Sequence, residues 1–208
     1  MSEDEGKEIK VILGGMSGTG KTNIINSLVG KPFDTNIIST TTSSFAHKIM
    51  TVNNKDYRLE IWDTAGQERY RSLTELFIKD SNIVIFVYDI TSRVSFEEID
   101  YWVTVVNNLL GKSPVFGLAG NKKDLFQEEK VDEEEGEKKA ESIGAIFKLT
   151  SAKTGVGIND FMQKLLEKYI EKKGPIADIN NKEKEENKGQ KLNNEIINKE
   201  IPKKKCCK

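Results

Sequence analysis

The chain has 208 residues, with 33 acidic and 32 basic side chains and a formal net charge of −1, so no global field argues for nucleic acid as a partner. That length predicts one domain with room for a sizeable core. The longest apolar run, 83–88, is strand-sized and far short of the ~20 residues that span a bilayer. Both cysteines, Cys206 and Cys207, stand at the C-terminus, so the folded part has no disulfide framework, as expected in a reducing, cytosolic setting. The opening residues 1–7 are acidic and polar, unlike a secretory signal or transit peptide, and lack a Met-Gly start for myristoylation.

In chain order, a β-branched run over 9–13 predicts a first strand. It ends in a glycine-rich loop that opens into a helix from Asn23 to Leu28, which Gly30-Lys31-Pro32 stops. From Gly15 the loop reads Gly-Met-Ser-Gly-Thr-Gly-Lys-Thr and fits G-x-x-x-x-G-K-[ST], a phosphate-binding pattern. Gly15, Ser17, Gly18, Thr19 and Gly20 supply the backbone. Glycines let successive N–H groups converge into an anion-binding concavity at a helix N-terminus. Lys21 can then reach β- and γ-phosphates, and the Thr22 hydroxyl can ligate Mg²⁺. The blander reading is a glycine-rich turn followed by a chance Lys-Thr. The strand before and helix after are the context the motif requires.

Residues 31–44 are polar and threonine-rich without a period, hence a loop. The stretches 45–52 and 57–62 both alternate, and Asn53-Asn54-Lys55-Asp56 between them predicts the turn of a β-hairpin. Residues 63–72 return to loop character, and 73–79 form a short predicted helix. The run 83–88 is apolar on both faces, as a central parallel strand should be. Phe96, Ile99, Val103, Val106 and Leu110 give a helix over 95–110 closed by Gly111. A strand over 115–119 runs into Asn121-Lys122-Lys123-Asp124. An amphipathic helix over 132–143 has charges ordered to suit its dipole. A last strand over 145–149 leads to Ser151-Ala152-Lys153, and Ile158, Phe161, Leu165 and Tyr169 share one face of a closing helix over 158–170. The pattern is α/β: a six-stranded, mostly parallel sheet with one antiparallel hairpin strand and about five helices on both faces. In such folds ligands sit at the C-terminal strand ends, where every loop singled out here begins.

The phosphate-binding loop alone does not separate ATP from GTP; two later stretches do. Asp124 can accept two hydrogen bonds from guanine N1–H and N2–H₂. Adenine lacks that donor pair and would leave a buried carboxylate unpaired, at a cost of roughly 1–3 kcal/mol or more. The 151–153 stretch can present backbone N–H to guanine O6, with Lys153 across the ring. Standing alone, Asn-Lys-Lys-Asp would as readily be a solvated turn, but its place between the phosphate loop and Ser-Ala-Lys argues otherwise.

These motifs, together with Trp62-Asp63-Thr64-Ala65-Gly66-Gln67-Glu68-Arg69, stand in the order and spacing of a Ras-like small GTPase, which the chain resembles from residue 8 to about 172. Within that superfamily it looks most like the Rab branch, on Trp62 to Arg69, Tyr70-Arg71-Ser72-Leu73-Thr74, Val87-Tyr88-Asp89-Ile90-Thr91 and the paired cysteines. The resemblance implies a P-loop GTPase domain over 8–173, after a disordered N-terminus at 1–7; residues 174–208, where Lys, Glu and Asn dominate and apolar residues are sparse, read as a disordered hypervariable tail. It implies GTP and GDP as ligands with Mg²⁺ as cofactor. Asn121, Lys122, Asp124, Ser151, Ala152 and Lys153 would bind the base, and Phe33 would cover its edge. Lys21 and Gln67 would be catalytic, Gln67 by orienting the attacking water. Thr22, Thr40 and, through a water, Asp63 would hold Mg²⁺, and Gly66 would donate its N–H to the γ-phosphate. Loss of that phosphate would release 31–44 and 64–74, giving an order–disorder switch.

Phe45, Trp62 and Phe77 match the apolar positions through which Rab proteins meet effectors; ordinary core packing is an equal reading for Phe45 and Trp62. The chain departs from the Rab pattern at Thr41-Thr42-Ser43-Ser44, which bears on effector choice, and Met16 replaces a common acidic residue. His47, the only histidine, reads as structural rather than catalytic.

In the tail, Lys203-Lys204-Lys205-Cys206-Cys207-Lys208 does not fit a C-a-a-X box, whose cysteine would fall at Lys205. The cysteine pair resembles Rab termini carrying two geranylgeranyl groups, and two chains give a stable anchor where one is marginal. A solvated basic end with two free thiols is the plainer alternative. The implied partners are an exchange factor, a GTPase-activating protein, a GDP dissociation inhibitor, the prenylation machinery and effectors. The expectation is a monomer on the cytoplasmic face of an intracellular membrane, cycling with cytosol and serving vesicle trafficking. Two rivals have other chemistry: a GTP-holding recruitment module with little hydrolysis, and a P-loop ATPase or nucleotide kinase.

Overall fold

The computed structural model describes residues 8–35, 44–63, 78–110 and 114–173. Six strands form one sheet: β1 (Ile9–Gly14), β2 (Ser44–Val52), β3 (Lys55–Asp63), β4 (Ile83–Asp89), β5 (Val115–Asn121) and β6 (Ala145–Leu149). Their order across the sheet is β2-β3-β1-β4-β5-β6, and only the β2–β3 pair is antiparallel. Among the described residues the helices are α1 (Lys21–Leu28), α2 (Arg93–Glu97), α3 (Ile99–Leu109), α4 (Glu133–Ile143) and α5 (Ile158–Lys173), with a 3₁₀ turn over Lys123–Glu128. From β1 the chain builds first toward β3 and later toward β4, so the C-terminal end of β1 is the topological switch point.

All seven residues of β4 are buried, as its unbroken apolar sequence requires of a central strand. Ile12, Val84, Phe86, Tyr88 and Leu118 share a core with Ile99, Trp102 and Val106 of α3 and Ala140 of α4. On the other face α5 lies so close that a Cβ on Gly117 of β5 would meet Phe161 Cζ at 2.8 Å. Along α5, Ile158, Phe161, Leu165 and Tyr169 are buried as the spacing predicts, joined by Met162 and Leu166.

Local signals explain the ends. Gly30 (φ 77°) closes α1 in a Schellman arrangement: its N–H donates to Ser27 O, and the Lys31 N–H donates to Asn26 O. Asp132 caps α4 in a capping box with Glu135, and Gly144 (φ 67°) closes it.

Two expectations need correction. The hairpin turn is only Asn53-Asn54, both at positive φ (50° and 61°), and Val52 pairs with Lys55. Asparagine tolerates this left-handed region, and a two-residue turn of that hand matches the strand twist. Lys55 and Asp56 therefore belong to β3, where Asp56 accepts from the Thr51 hydroxyl across the strands. The single helix expected over 95–110 is two, α2 and α3, meeting at Glu98. Ser92 caps α2, which begins two residues before that expected start, and its hydroxyl accepts from the Ser95 N–H. The face that α3 buries is Ile99, Trp102 and Val106, while Phe96, Val103 and Leu110 are only partly covered.

Phe45, His47 and Ile49 lie exposed along β2, with Phe45 stacked near Trp62 at 5.2 Å, so Phe45 is not core. His47 contacts Phe45 edge-on and lies 3.3 Å from an Arg58 guanidinium nitrogen. Residues 1–7 and 174–208 lie outside the described residues, as does the helix expected over 73–79 up to residue 77.

Candidate functional site

The strand ends of β1, β3, β4 and β5 and the 150–157 loop converge at the switch point. The loop after β1 is shaped by what its glycines must avoid. A Cβ on Gly15 (φ 144°) would lie 2.2 Å from the Val87 carbonyl oxygen, and one on Gly20 (φ 94°) 2.4 Å from Asn121 Nδ2. Ser17 and Gly18 form the turn, and the Thr19 hydroxyl donates to Met16 O at 3.0 Å. The loop thus wraps over the first turn of α1.

Lys21 is 5% exposed, and its ammonium donates to Gly15 O (2.8 Å) and Met16 O (2.9 Å), beneath the concavity that phosphates would fill. Burial lowers its pKa to about 8, partly offset by the Asp63 carboxylate. The next residue, Thr22, donates its hydroxyl to Asp63 Oδ2 at 2.7 Å. Asp63 ends β3 and is 2% exposed. A hydroxyl and a carboxylate meeting in a partly buried place beside a phosphate cradle are the hard oxygen donors that Mg²⁺ prefers. Mg²⁺ therefore fits this pair; Thr22 and Asp63 would hold it, the latter through water.

The second half is a cavity of about 350 Å³ lined by Phe33, Asn121, Lys122, Asp124, Ala152 and Lys153, with Gly18, Gly20, Asn23, Asp34, Thr35 and Leu125 completing it. Asp124 is the second residue of the 3₁₀ turn, where Ser151 Oγ donates to its Oδ1 at 2.5 Å and fixes the carboxylate's direction. Lys122 sits at positive φ (68°), and its ammonium pairs with Asp89 Oδ2 at 2.6 Å. The other Asp89 oxygen accepts from the N–H and hydroxyl of Thr91, so this buried carboxylate is fully used.

Asn121 joins the two halves. Its Nδ2 donates to Thr19 O (2.8 Å), while its Oδ1 accepts from the Ala152 N–H (3.1 Å) and the Thr150 hydroxyl (3.3 Å), all in buried surroundings. Two of the three amides at 151–153 are engaged within the protein, Ser151 with Val156 O and Ala152 with Asn121.

A family model, that of the Ras family, matches residues 10–171. The chain belongs to the Ras family. Its six-stranded mixed sheet with helices on both faces is the Ras-like P-loop fold, and membership makes it a small GTPase-type switch with a guanine-nucleotide and Mg²⁺ site. For this Ras-family chain the structure brings Gly15, Ser17, Thr19, Lys21, Thr22 and Asp63 together on one side of Asn121, with Gly18 and Gly20 shared by both halves. It gathers Phe33, Lys122, Asp124, Ser151, Ala152 and Lys153 on the other. Thr40, Gly66, Gln67, Phe77, Cys206 and Cys207 lie outside the described residues. Three working side chains escaped the sequence reading. Asp89 orients Lys122, Asn23 lines the cavity from α1, and the Ser151 hydroxyl, not its amide, acts on Asp124. Asp89 stood in a quoted motif, but only a long-range contact assigns its task.

Proposed function

We propose that this Ras-family chain is a Rab-type switch that binds GTP and GDP, hydrolyses GTP, and recruits effectors in vesicle trafficking. The observation that carries the nucleotide reading is the Asn121 brace between Thr19 and Ala152, with Asp124 aimed by Ser151 at the adjoining cavity. One rigid frame then serves a phosphate chain and a base with adjacent N–H donors. Asp124 accepts from guanine N1–H and N2–H₂, Lys122 and Lys153 flank the ring, and Phe33 covers its edge. Lys21 exchanges its two carbonyl partners for β- and γ-phosphate oxygens, which restores the charge that burial discourages.

When bound, Mg²⁺ offsets charge on the terminal phosphates. Thr22, Thr40 and, through a water, Asp63 would hold it, Gly66 would donate to the γ-phosphate, and Gln67 would orient the water that attacks it. An activating protein then adds about 10³–10⁵ in rate. Support for the Rab branch is the run Trp62–Thr74, the 87–91 stretch and the paired Cys206 and Cys207. Two prenyl chains there, with lysines contributing roughly 1 kcal/mol each near an anionic leaflet, would hold the chain on a cytoplasmic membrane face. The extraction partner is a GDP dissociation inhibitor. The Thr41–Ser44 departure leaves room for a second reading, a GTP-holding recruitment module with little turnover, against which the intact Thr40, Asp63 and Gln67 argue.

The purified chain retains guanine nucleotide against excess ATP; equal competition by ATP and GTP overturns the reading. Asp124→Ala abolishes the preference without removing Lys21. Gln67→Leu slows single-turnover hydrolysis, whereas no hydrolysis by the wild type favours the recruitment module. Intact mass of protein from its native cell carries the prenyl increments; their absence refutes the anchor.

A further inference from the structure

The first turn of α1 points three consecutive side chains in three directions, about 100° apart. Lys21 turns under the phosphate loop and Thr22 turns to the end of β3. Asn23 turns to the chain that leaves the helix after Gly30. Its Nδ2 donates to Asp34 O at 3.0 Å, and its Oδ1 accepts from the Asp34 N–H at 3.3 Å. A carboxamide is the smallest side chain offering one donor and one acceptor side by side, so it mimics a strand partner for a single residue. Both Asn23 and Asp34 line the base cavity, beside Phe33.

Phe33 needs such a tie. It is 40% exposed and sits in residues 31–35, which belong to no helix or strand and are all exposed. Past the Schellman closure at Lys31, the Asn23 pair is a two-point side-chain tether between this stretch and α1. An aromatic on an untethered exposed segment forfeits contact with a ligand, because ordering it costs conformational entropy each time the cavity closes.

We propose that Asn23 is a positioning residue for nucleotide residence: by pinning Asp34 to α1 it holds the Phe33 wall of the base cavity. The proposal rests on the guanine-nucleotide reading above. The tether links the base wall to the same helical turn that carries Lys21 and Thr22, so anything displacing that turn also loosens the base. Its effect is on release, because a held wall must open before the base leaves, while a diffusing nucleotide meets an open rim either way.

The test uses the full chain loaded with fluorescent GDP and chased with unlabelled GDP. Two solvent-reachable hydrogen bonds limit the gain, so Asn23→Ala raises the release rate about threefold to tenfold, with association changed less than about twofold. Asn23→Gln, which keeps donor and acceptor on a longer stem, falls between Ala and wild type. Because both changes act through one wall, Asn23→Ala combined with Phe33→Ala releases GDP no faster than Phe33→Ala alone. A role confined to helix stability predicts the opposite pattern. Alanine is the better helix former, so melting at saturating GDP would rise while release stayed unchanged. Wild-type release in Asn23→Ala, or multiplicative rates in the double variant, overturns the tether alone. A wild-type chain that retains no GDP overturns the functional reading and the tether with it.

Discussion

Removing the Asn121 side chain should separate the two halves of the site and destabilise the fold measurably. Asn121 is 1% exposed, and its carboxamide satisfies the Thr19 carbonyl, the Ala152 N–H and the Thr150 hydroxyl. Asn121→Ala leaves at least the first two without partners where water has little access. Each orphaned buried group costs about 1–3 kcal/mol, so two cost roughly 2–6 kcal/mol. In a domain of this size each kcal/mol shifts Tm by about 2–4 °C, so a mid-range loss of about 4 kcal/mol lowers it by roughly 8–16 °C. Denaturation with nucleotide removed reads this structural term.

Repeating the measurement at a large excess of Mg²⁺ and GDP adds the linkage term RT ln(1 + [L]/Kd). If Asn121 also couples the phosphate loop to the base loop, the deficit widens there by about 1.4 kcal/mol for each tenfold loss of affinity. A variant within about 0.5 kcal/mol of wild type without nucleotide would refute the brace, since that is the scale of an ordinary surface substitution. Equal deficits in both conditions would keep the brace but refute the coupling.

Lys21 makes stability depend on pH in the nucleotide-free chain. Its folded pKa of about 8 lies below the ordinary 10.5, so the unfolded chain binds more protons between those values and stability rises with pH across that window, by roughly 3 kcal/mol in full. Chemical denaturation from about pH 7 to pH 10 should show this slope, and Lys21→Met should remove it. GDP binding at about pH 8 to 9 should take up part of a proton on Lys21, visible as a dependence of calorimetric heat on buffer ionisation enthalpy. Gly117→Ala should cost about 1–3 kcal/mol, because the new Cβ lies 2.8 Å from Phe161 Cζ and 3.0 Å from the Leu165 methyls, and α5 must shift. A melting temperature equal to wild type would show that α5 is not closely seated on β5.

Most of the fold was legible because period and punctuation agree. β4 has no polar face to misread, and the α4 ends are written in Asp132, Glu135 and Gly144. The misreadings fall where local signals compete. The apolar series from Phe96 to Leu110 looked like one helix, yet the Ser92 hydroxyl starts the turn earlier and Trp102 takes the buried place. Asn53-Asn54-Lys55-Asp56 offered several turns, and only the β2–β3 register selects the tightest one.

The sequence by itself determined which chemistry is available. A backbone cradle needs glycines at fixed spacing, and Lys21, Thr22, Asp63 and Asp124 are chosen by side-chain type. Those demands are local, so they survive in one dimension. Tertiary structure alone decided how these groups are aimed. Ser151 turns Asp124, Asp89 holds Lys122, Asn121 ties Thr19 to Ala152, and Asn23 grips Asp34. Each of these is a hydrogen bond or ion pair between segments far apart in the chain or across a loop. Its partner is fixed by sheet order and strand register, which no local pattern encodes.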